Sequence, residues 1–229
     1  MPVPDSVIAV RARVAAGFLS GTGIEIGALD APTPLPPGAK VRYVDLRPAR
    51  TLAEHYPELD PRTFAKVDVV DNGERLARFA DGSLDFLIAN HMLEHCENPL
   101  GAMRNHLRKV KQGGTLFYAM PDMRLGFDKS RPVTSFEHVV ADDRDGGESS
   151  RRAHHLEWAR FANGITNDAE VTRIAEENQR NGYSIHFHVW DASAWLEYLW
   201  RSREYLERQF ETRHFEFTGT EIISVLRRA

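Results

Sequence analysis

Five short runs rich in β-branched and aromatic residues, GIEIGA, KVRYVDL, FAKVDVVD, SLDFLIANHML and TLFYAMP, are strung along residues 23–121. Turns or helix-like stretches separate them. Strands that alternate with helices join through right-handed crossovers into a parallel sheet. Ahead of the first run, Val7, Val14 and Phe18 share one helical face with Ile8, Ala15 and Leu19 beside them, and Gly21 and Gly23 end that helix. Asn98-Pro99 is a helix start, a capping residue followed by a proline at the first helical position. Leu100, Met103, Leu107 and Val110 follow at helical steps, and Gly113-Gly114 are expected to stop the helix. The tail differs. DASAWLEYLW reads as a helix opened by Asp191, with Trp195, Leu196 and Leu199 as core, and RHFEFTGTEIISVLRR as two strands across a turn at Gly219. The expectation is an α/β fold with a mostly parallel sheet closed by an antiparallel C-terminal hairpin.

A chain of 229 residues with 42% hydrophobic content suits one large domain with a well-buried core. Residues 20–122 form its expected cofactor-binding half, 123–190 a polar insert after strand five, and 191–229 the closing helix and hairpin. A net charge of −4 gives no basic footprint for nucleic acid. The lone Cys96 rules out an internal disulfide and fits a reducing, cytoplasmic setting. The opening MPVPDSVIAVRARV carries Arg11 and Arg13 and no long apolar run, unlike a secretion signal or a membrane span.

Ligands of open α/β sheets sit beyond the carboxyl ends of the strands. Gly27 ends the first strand, where a glycine lets backbone approach a ligand closely. A pyrophosphate needs a Gly-x-Gly turn feeding a helix N-terminus. Here Ala28, Leu29, Asp30 and two prolines follow instead, and Asp30 would repel a phosphate. A cofactor with a sulfonium and an amino-acid tail but no phosphate fits better. Glu25 is placed near its ammonium group. Asp45, twenty residues on, offers two acceptor oxygens to ribose hydroxyls. Asp68, read as ending the third strand beside Asp71, accepts from the adenine amino group, with Val69 beside the ring. These acidic strand ends point to S-adenosylmethionine rather than to a nicotinamide dinucleotide.

GIEIGA, VRYVDL, DVVDNGE, SLDFLIANHMLEHCENP and KQGGTLFYAMPD together resemble the class I S-adenosylmethionine-dependent methyltransferases over roughly residues 20–122. The resemblance implies their Rossmann-like seven-stranded sheet, with an antiparallel seventh strand. It implies cofactor contacts from Glu25, Gly27, Asp45, Leu46, Asp68, Val69, Asn90 and His91. The first motif departs from the usual pattern of that family, because Leu29 stands where a second glycine is usual.

The segment ANHMLEH lacks the Asn/Asp-Pro-Pro-Tyr of many amino-methylating members, and Cys96, beside Glu97, is not placed as a nucleophile. The insert holds His138, His154, His155, His186 and His188, five of the ten histidines. Long insertions in compact domains are usually functional. PDMRLGFDKSRPVTSFEHVVADDRDGGESSRRAHHLEW and the later IHFHVW resemble a methyltransferase branch of bacterial polysaccharide loci, which includes the 1-O-methyltransferases of methylmannose polysaccharide assembly. The acceptor this implies is a sugar hydroxyl, on a small molecule or an oligosaccharide. A hydroxyl is a poor nucleophile, so a positioned histidine base helps. His154 and His138 are the first candidates and His188 the next. Asp122, Arg124, Asp128, Arg131 and Glu137 suit hydrogen bonds to sugar hydroxyls, and Trp190 offers a face for the ring. Mg²⁺ activation is admitted by the oxygen ligands Asp122, Asp128, Glu137, Asp142 and Asp143, although their spacing matches no metal motif. His186 and His188 alternate about Phe187 and are read as facing one side, with no third ligand spaced nearby for zinc. A homodimer is an admissible assembly. Two competing readings are a non-catalytic cofactor-binding member of the fold and a methyltransferase for another small molecule.

Overall fold

The computed structural model describes residues 4–57 and 59–229. The first three residues of the N-terminal stretch read above for a targeting signal lie outside them. Seven strands make one sheet: β1 (Thr22–Ile26), β2 (Lys40–Asp45), β3 (Val69–Val70), β4 (Leu84–Asn90), β5 (Val110–Pro121), β6 (Phe210–Phe217) and β7 (Glu221–Arg228). Their spatial order is β3-β2-β1-β4-β5-β7-β6. β1 to β5 pair in parallel, and β7 runs antiparallel to both β5 and β6. The expected seven-stranded α/β sheet with its antiparallel hairpin is therefore present. Strand order reverses between β1 and β4, so their carboxyl ends open the crevice where such sheets bind ligands.

The helices are α1 (Asp5–Phe18), α2 (Ala49–His55), α3 (Pro99–Lys109), α4 (Phe136–Asp145), α5 (Arg151–Phe161), α6 (Asp168–Asn181) and α7 (Ala192–Tyr205). Alternation along β4 builds the two layers. Phe86 and Ile88 pack with Val14, Ala15 and Leu19 of the α1 side, and with Phe117 and Val225. Leu87 and Ala89 face the opposite layer with Met103 and Leu107 of α3 and Trp195 and Tyr198 of α7. Each such large apolar side chain contributes about 2 kcal/mol on burial. Asn98 caps α3 by accepting from the Gly101 N–H at 2.7 Å, and Asp191 caps α7 through the Ala194 N–H at 2.9 Å.

Several expectations are corrected. Gly113-Gly114 do not stop α3, which ends at Lys109; both lie within β5. Leu84 pairs with Val110 but Phe86 with Thr115, so the intervening residues bulge from the ladder. A Cβ on Gly114 would meet the Lys111 and Asp85 carbonyl oxygens at 2.8 and 2.9 Å, and close backbone approach is what the glycine serves. The third run pairs only at Val69–Val70, so Asp68 precedes the strand. Leu196 is 48% exposed on the outer face of α7 and is not core.

The insert folds into two 3-10 turns, Met123–Leu125 and Phe127–Ser130, then α4, α5 and α6. An extended segment over residues 183–190 returns to α7 without joining the sheet. It is held instead by the Glu94 carbonyl, which accepts from the Phe187 and His188 N–H groups, and by Thr134, which exchanges bonds with Val189.

Candidate functional site

At the crevice, the turn after β1 is held open by two left-handed residues. Gly27 has φ +63°, and space beyond its Cα is empty to 4 Å; Leu29 has φ +45°. Leu29 thus takes the conformation that a second glycine would supply. Glu25 is fully buried. Its carboxylate accepts from the Thr33 N–H at 3.0 and 3.1 Å, from the Thr33 hydroxyl at 2.9 Å and from the Asn90 amide at 3.1 Å. Burial pushes its pKa up to about 7. Glu25, expected near a ligand's ammonium, is occupied by Thr33 and Asn90 in this structure. With no exposed surface, Glu25 fastens the turn, through Thr33, to the end of β4. Asn90 ends β4: its Nδ2 is used on Glu25 and Thr33, while its buried Oδ1 has no partner among the described residues.

Asp45 ends β2, half-buried, with Oδ1 accepting from the Arg47 N–H at 3.0 Å. Burial raises its pKa. Leu46 beside it is 62% exposed, an uncovered apolar side chain next to an acid. Asp68 turns the other way, accepting from the Tyr43 N–H at 3.0 Å. Asp71 follows β3, its N–H donating to the Asp45 carbonyl at 3.0 Å, so Asp71 rather than Asp68 stands at the carboxyl edge. Val69 pairs with Val44 inside the ladder.

On the other side of the crevice His91 follows β4 with φ +48°. Its Nε2 lies 3.0 Å from Oε2 of Glu221, at the start of β7. Arg11 of α1 donates to both Glu221 oxygens at 2.9 and 2.6 Å. Burial alone would raise the Glu221 pKa, but the bonds from Arg11 and His91 outweigh it and hold the carboxyl below its ordinary value. The His91 side chain is 41% exposed, while those of Arg11 and Glu221 are buried. The second ring nitrogen of His91, Nδ1, lies 3.9 Å from Oε1 of the buried Glu94. The sequence reading placed His91 but missed Glu221 and Arg11, which lie far away in the chain and carry no local motif.

The insert residues are mostly internal. Arg131 has a fully buried side chain that donates to Asp128 at 2.8 Å, to Glu157 at 2.9 Å and to the carbonyls of His186 and Phe187. Asp128 also takes His186 at 2.6 Å. Asp122 is buried under Arg124, and Trp190 is packed among His188, Trp195 and Tyr198. Asp122, Asp128, Arg131 and Trp190, expected to meet a substrate, are each buried and partnered within the fold. Arg124 and Glu137 face solvent, the latter paired with Arg201 at 2.5 Å. Leu125 and Phe127, exposed beside Arg124 just past β5, offer the apolar face assigned to Trp190. The oxygen donors considered for Mg²⁺ are dispersed: Asp122, Asp128, Glu137 and Asp143 each pair with an arginine.

The three candidate bases do meet. His138, His154 and His188 converge on Asp142, with their Nε2 atoms 3.3, 3.5 and 2.8 Å from its Oδ2. His138 and His154 face each other through Nε2 at 3.1 Å. Their reactive nitrogens point at one another rather than outward. His186 and His188 reach different carboxylates, so they do not act as a pair. Glu94 is buried nearby, neither oxygen hydrogen-bonded among the described residues and Oε1 3.9 Å from His91 Nδ1, and burial raises its pKa. Cys96 is buried and its thiol pushed up, so it is no nucleophile.

Residues 19–118 match the family model described as a methyltransferase domain. No curated protein matches the chain. Among solved structures, the chain is similar to a candidate methyltransferase from Bacillus halodurans, at 14% identity and TM-score 0.53 over 97% of this chain and 98% of that one. It is similar to an S-adenosylmethionine-dependent methyltransferase from Aquifex aeolicus, at 11% identity and TM-score 0.50 over the whole of both chains. A structure assigned as a candidate zinc-dependent alcohol dehydrogenase from Rhodobacter sphaeroides shares the fold at 12% identity and TM-score 0.56, covering 99% of this chain and 90% of that one. At such identities the likeness speaks for the fold alone. Residues 19–118 resemble a methyltransferase domain, and the sheet shares the fold of these solved structures. Among the described residues, no helix is long and apolar enough to cross a membrane.

Proposed function

We propose that this chain is an S-adenosylmethionine-dependent O-methyltransferase that acts on a sugar hydroxyl of a saccharide or glycan precursor. The observation that carries the reading is the crevice between β1 and β4, with Asp45 on one flank and the His91–Glu221 pair on the other. The residues fit the cofactor. Gly27 leaves open space, the Asn90 Oδ1 is buried without a partner, and no turn there is built for phosphate. Asp45 would hold the ribose, Leu46 the adenine face, and Gly27 and Asn90 the methionine tail. When bound, the cofactor supplies an electrophilic sulfonium methyl. His91 accepts the proton that the acceptor hydroxyl loses as its oxygen becomes an ether. Glu221 fixes the imidazole's orientation and offsets its new charge. Arg124 and Phe127, exposed past β5, supply a hydrogen-bonding head and a stacking face for a sugar. The resemblance of the insert to the polysaccharide-locus branch supports the same acceptor.

Calorimetry with S-adenosylmethionine and labelled methyl transfer to a panel of saccharides test this. Saturable binding weakened by Asp45→Ala, with label entering a saccharide, is the expected result. Absence of cofactor binding overturns the reading. Binding without transfer to any saccharide favours another acceptor or a non-catalytic member.

A further inference from the structure

We propose that His138, Asp142, His154 and His188 bind one divalent transition-metal ion, zinc by its ligand set, and that this ion clamps the insert. The four ligand atoms all lie within 4.8 Å of one another. Four of the separations among them are 2.8, 3.1, 3.3 and 3.5 Å. A tetrahedron of nitrogen and oxygen around zinc has edges of about 3.3 Å, given bonds of about 2.0–2.1 Å. Little movement is needed to place an ion at the centre.

The surroundings are those of ligands held ready. The His188 Nδ1 lies 3.1 Å from the Cys96 carbonyl, which accepts its proton and leaves Nε2 with a lone pair aimed at the cluster. The outer oxygen of Asp142, Oδ1, accepts from the Ser150 hydroxyl at 2.5 Å, leaving Oδ2 inward. Such outer bonds fix tautomer and orientation at metal sites. His138 and Asp142 share one face of α4 at i and i+4. Two Nε2 atoms at 3.1 Å compete for one proton when no ion is present, whereas an ion uses both lone pairs.

Three imidazoles and a carboxylate favour zinc-class ions over Mg²⁺, which needs an oxygen shell. Four protein ligands leave no open position, the mark of a structural rather than a Lewis-acid site. The ion would join α4, α5 and the 183–190 segment, and through Cys96 tie them to the loop after β4. This does not depend on the methyl-transfer reading, and its test uses no activity.

Full-length protein is stripped with chelator and titrated with Zn²⁺, Co²⁺ or Mg²⁺ alone. One Zn²⁺ per chain, a rise in melting temperature with Zn²⁺ but not Mg²⁺, and the intense visible absorption of four-coordinate Co²⁺ are expected. His138 is half-exposed, so His138→Asn tests the site with little risk to folding, and should weaken Zn²⁺ binding at least about 100-fold. Ser150→Ala, which keeps all four ligands, should weaken it about 10- to 100-fold. Substoichiometric Zn²⁺, a six-coordinate Co²⁺ spectrum, or unchanged Zn²⁺ affinity in both variants overturns the proposal in favour of a purely hydrogen-bonded cluster.

Discussion

His91 Nε2 sits 3.0 Å from Glu221 Oε2, and this bond joins the end of β4 to the start of β7 over the intervening β5, on one flank of the crevice. It sets the orientation of an imidazole whose side chain is 41% exposed and whose Nδ1 lies 3.9 Å from Glu94 Oε1. His91→Ala should therefore lower turnover by about 10²–10⁴-fold, the usual contribution of a positioned base. Cofactor affinity should stay within a few-fold of wild type, since the imidazole's task is the acceptor's proton. Labelled methyl transfer and calorimetry on the same preparation measure both quantities. Full activity in His91→Ala would move the base elsewhere.

In the proposed function Asp45 holds the ribose. A charged acceptor facing a hydroxyl contributes about 1.5–3 kcal/mol. Asp45→Ala should weaken S-adenosylmethionine at least tenfold in calorimetry. Of the two acids flanking β3, Asp71→Ala should weaken binding more than Asp68→Ala, because Asp71 stands at the carboxyl edge beside Asp45 while Asp68 precedes the strand. The reverse order would return Asp68 to the adenine.

The sheet and its hairpin were legible because periodicity, caps and turns are local signals. Asn98, Asp191 and Gly219 marked their elements correctly. Local signals also explain the errors: two adjacent glycines read as a stop when they serve a strand crossing, and a run of valines read as a longer strand than its neighbour can pair. The candidate site was legible only in part. Asp45 and Asn90 end their strands and His91 follows one, positions that the local pattern made legible. Glu25 and Trp190 are buried, which the local pattern does not signal, because burial is a long-range property. The pairing of His91 with Glu221, and the meeting of His138, His154 and His188 at Asp142, depend on how the insert and hairpin fold back. No spacing rule encodes that.

Glu25 gives a pH-dependent test. Its carboxyl is raised by burial from an ordinary value of 4.5 to about 7. The folded state thus binds its proton more tightly than the unfolded state. Its contribution to stability is full below pH 4.5, falls as pH rises toward 7, and levels off above. Glu25→Gln resembles the protonated form and lacks this fall. The melting temperature of Glu25→Gln relative to wild type should rise between pH 5 and pH 8, with a total difference on the order of 3 kcal/mol at 1.36 kcal/mol per pKa unit. A difference that is flat with pH would show that Glu25 is ionised throughout this range.

Arg131 offers a test of what holds the insert. Its side chain is wholly buried and donates to Asp128, to Glu157 and to two carbonyls of the 183–190 segment. Arg131→Met keeps apolar volume but leaves Asp128 with His186 alone and strips both carbonyls of a donor. Removing one member of a buried pair costs about 3–5 kcal/mol. At about 2–4 °C per kcal/mol for a chain of this size, the melting temperature should fall by roughly 10 °C. The damage should be local: amide exchange should quicken over residues 123–190 before it does in β1, β4 and β5. Replacing Asp128 by Asn together with Arg131→Met removes the stranded charge and should recover part of the loss. A double variant no more stable than the single one would place the cost in the orphaned carbonyls rather than in the carboxylate.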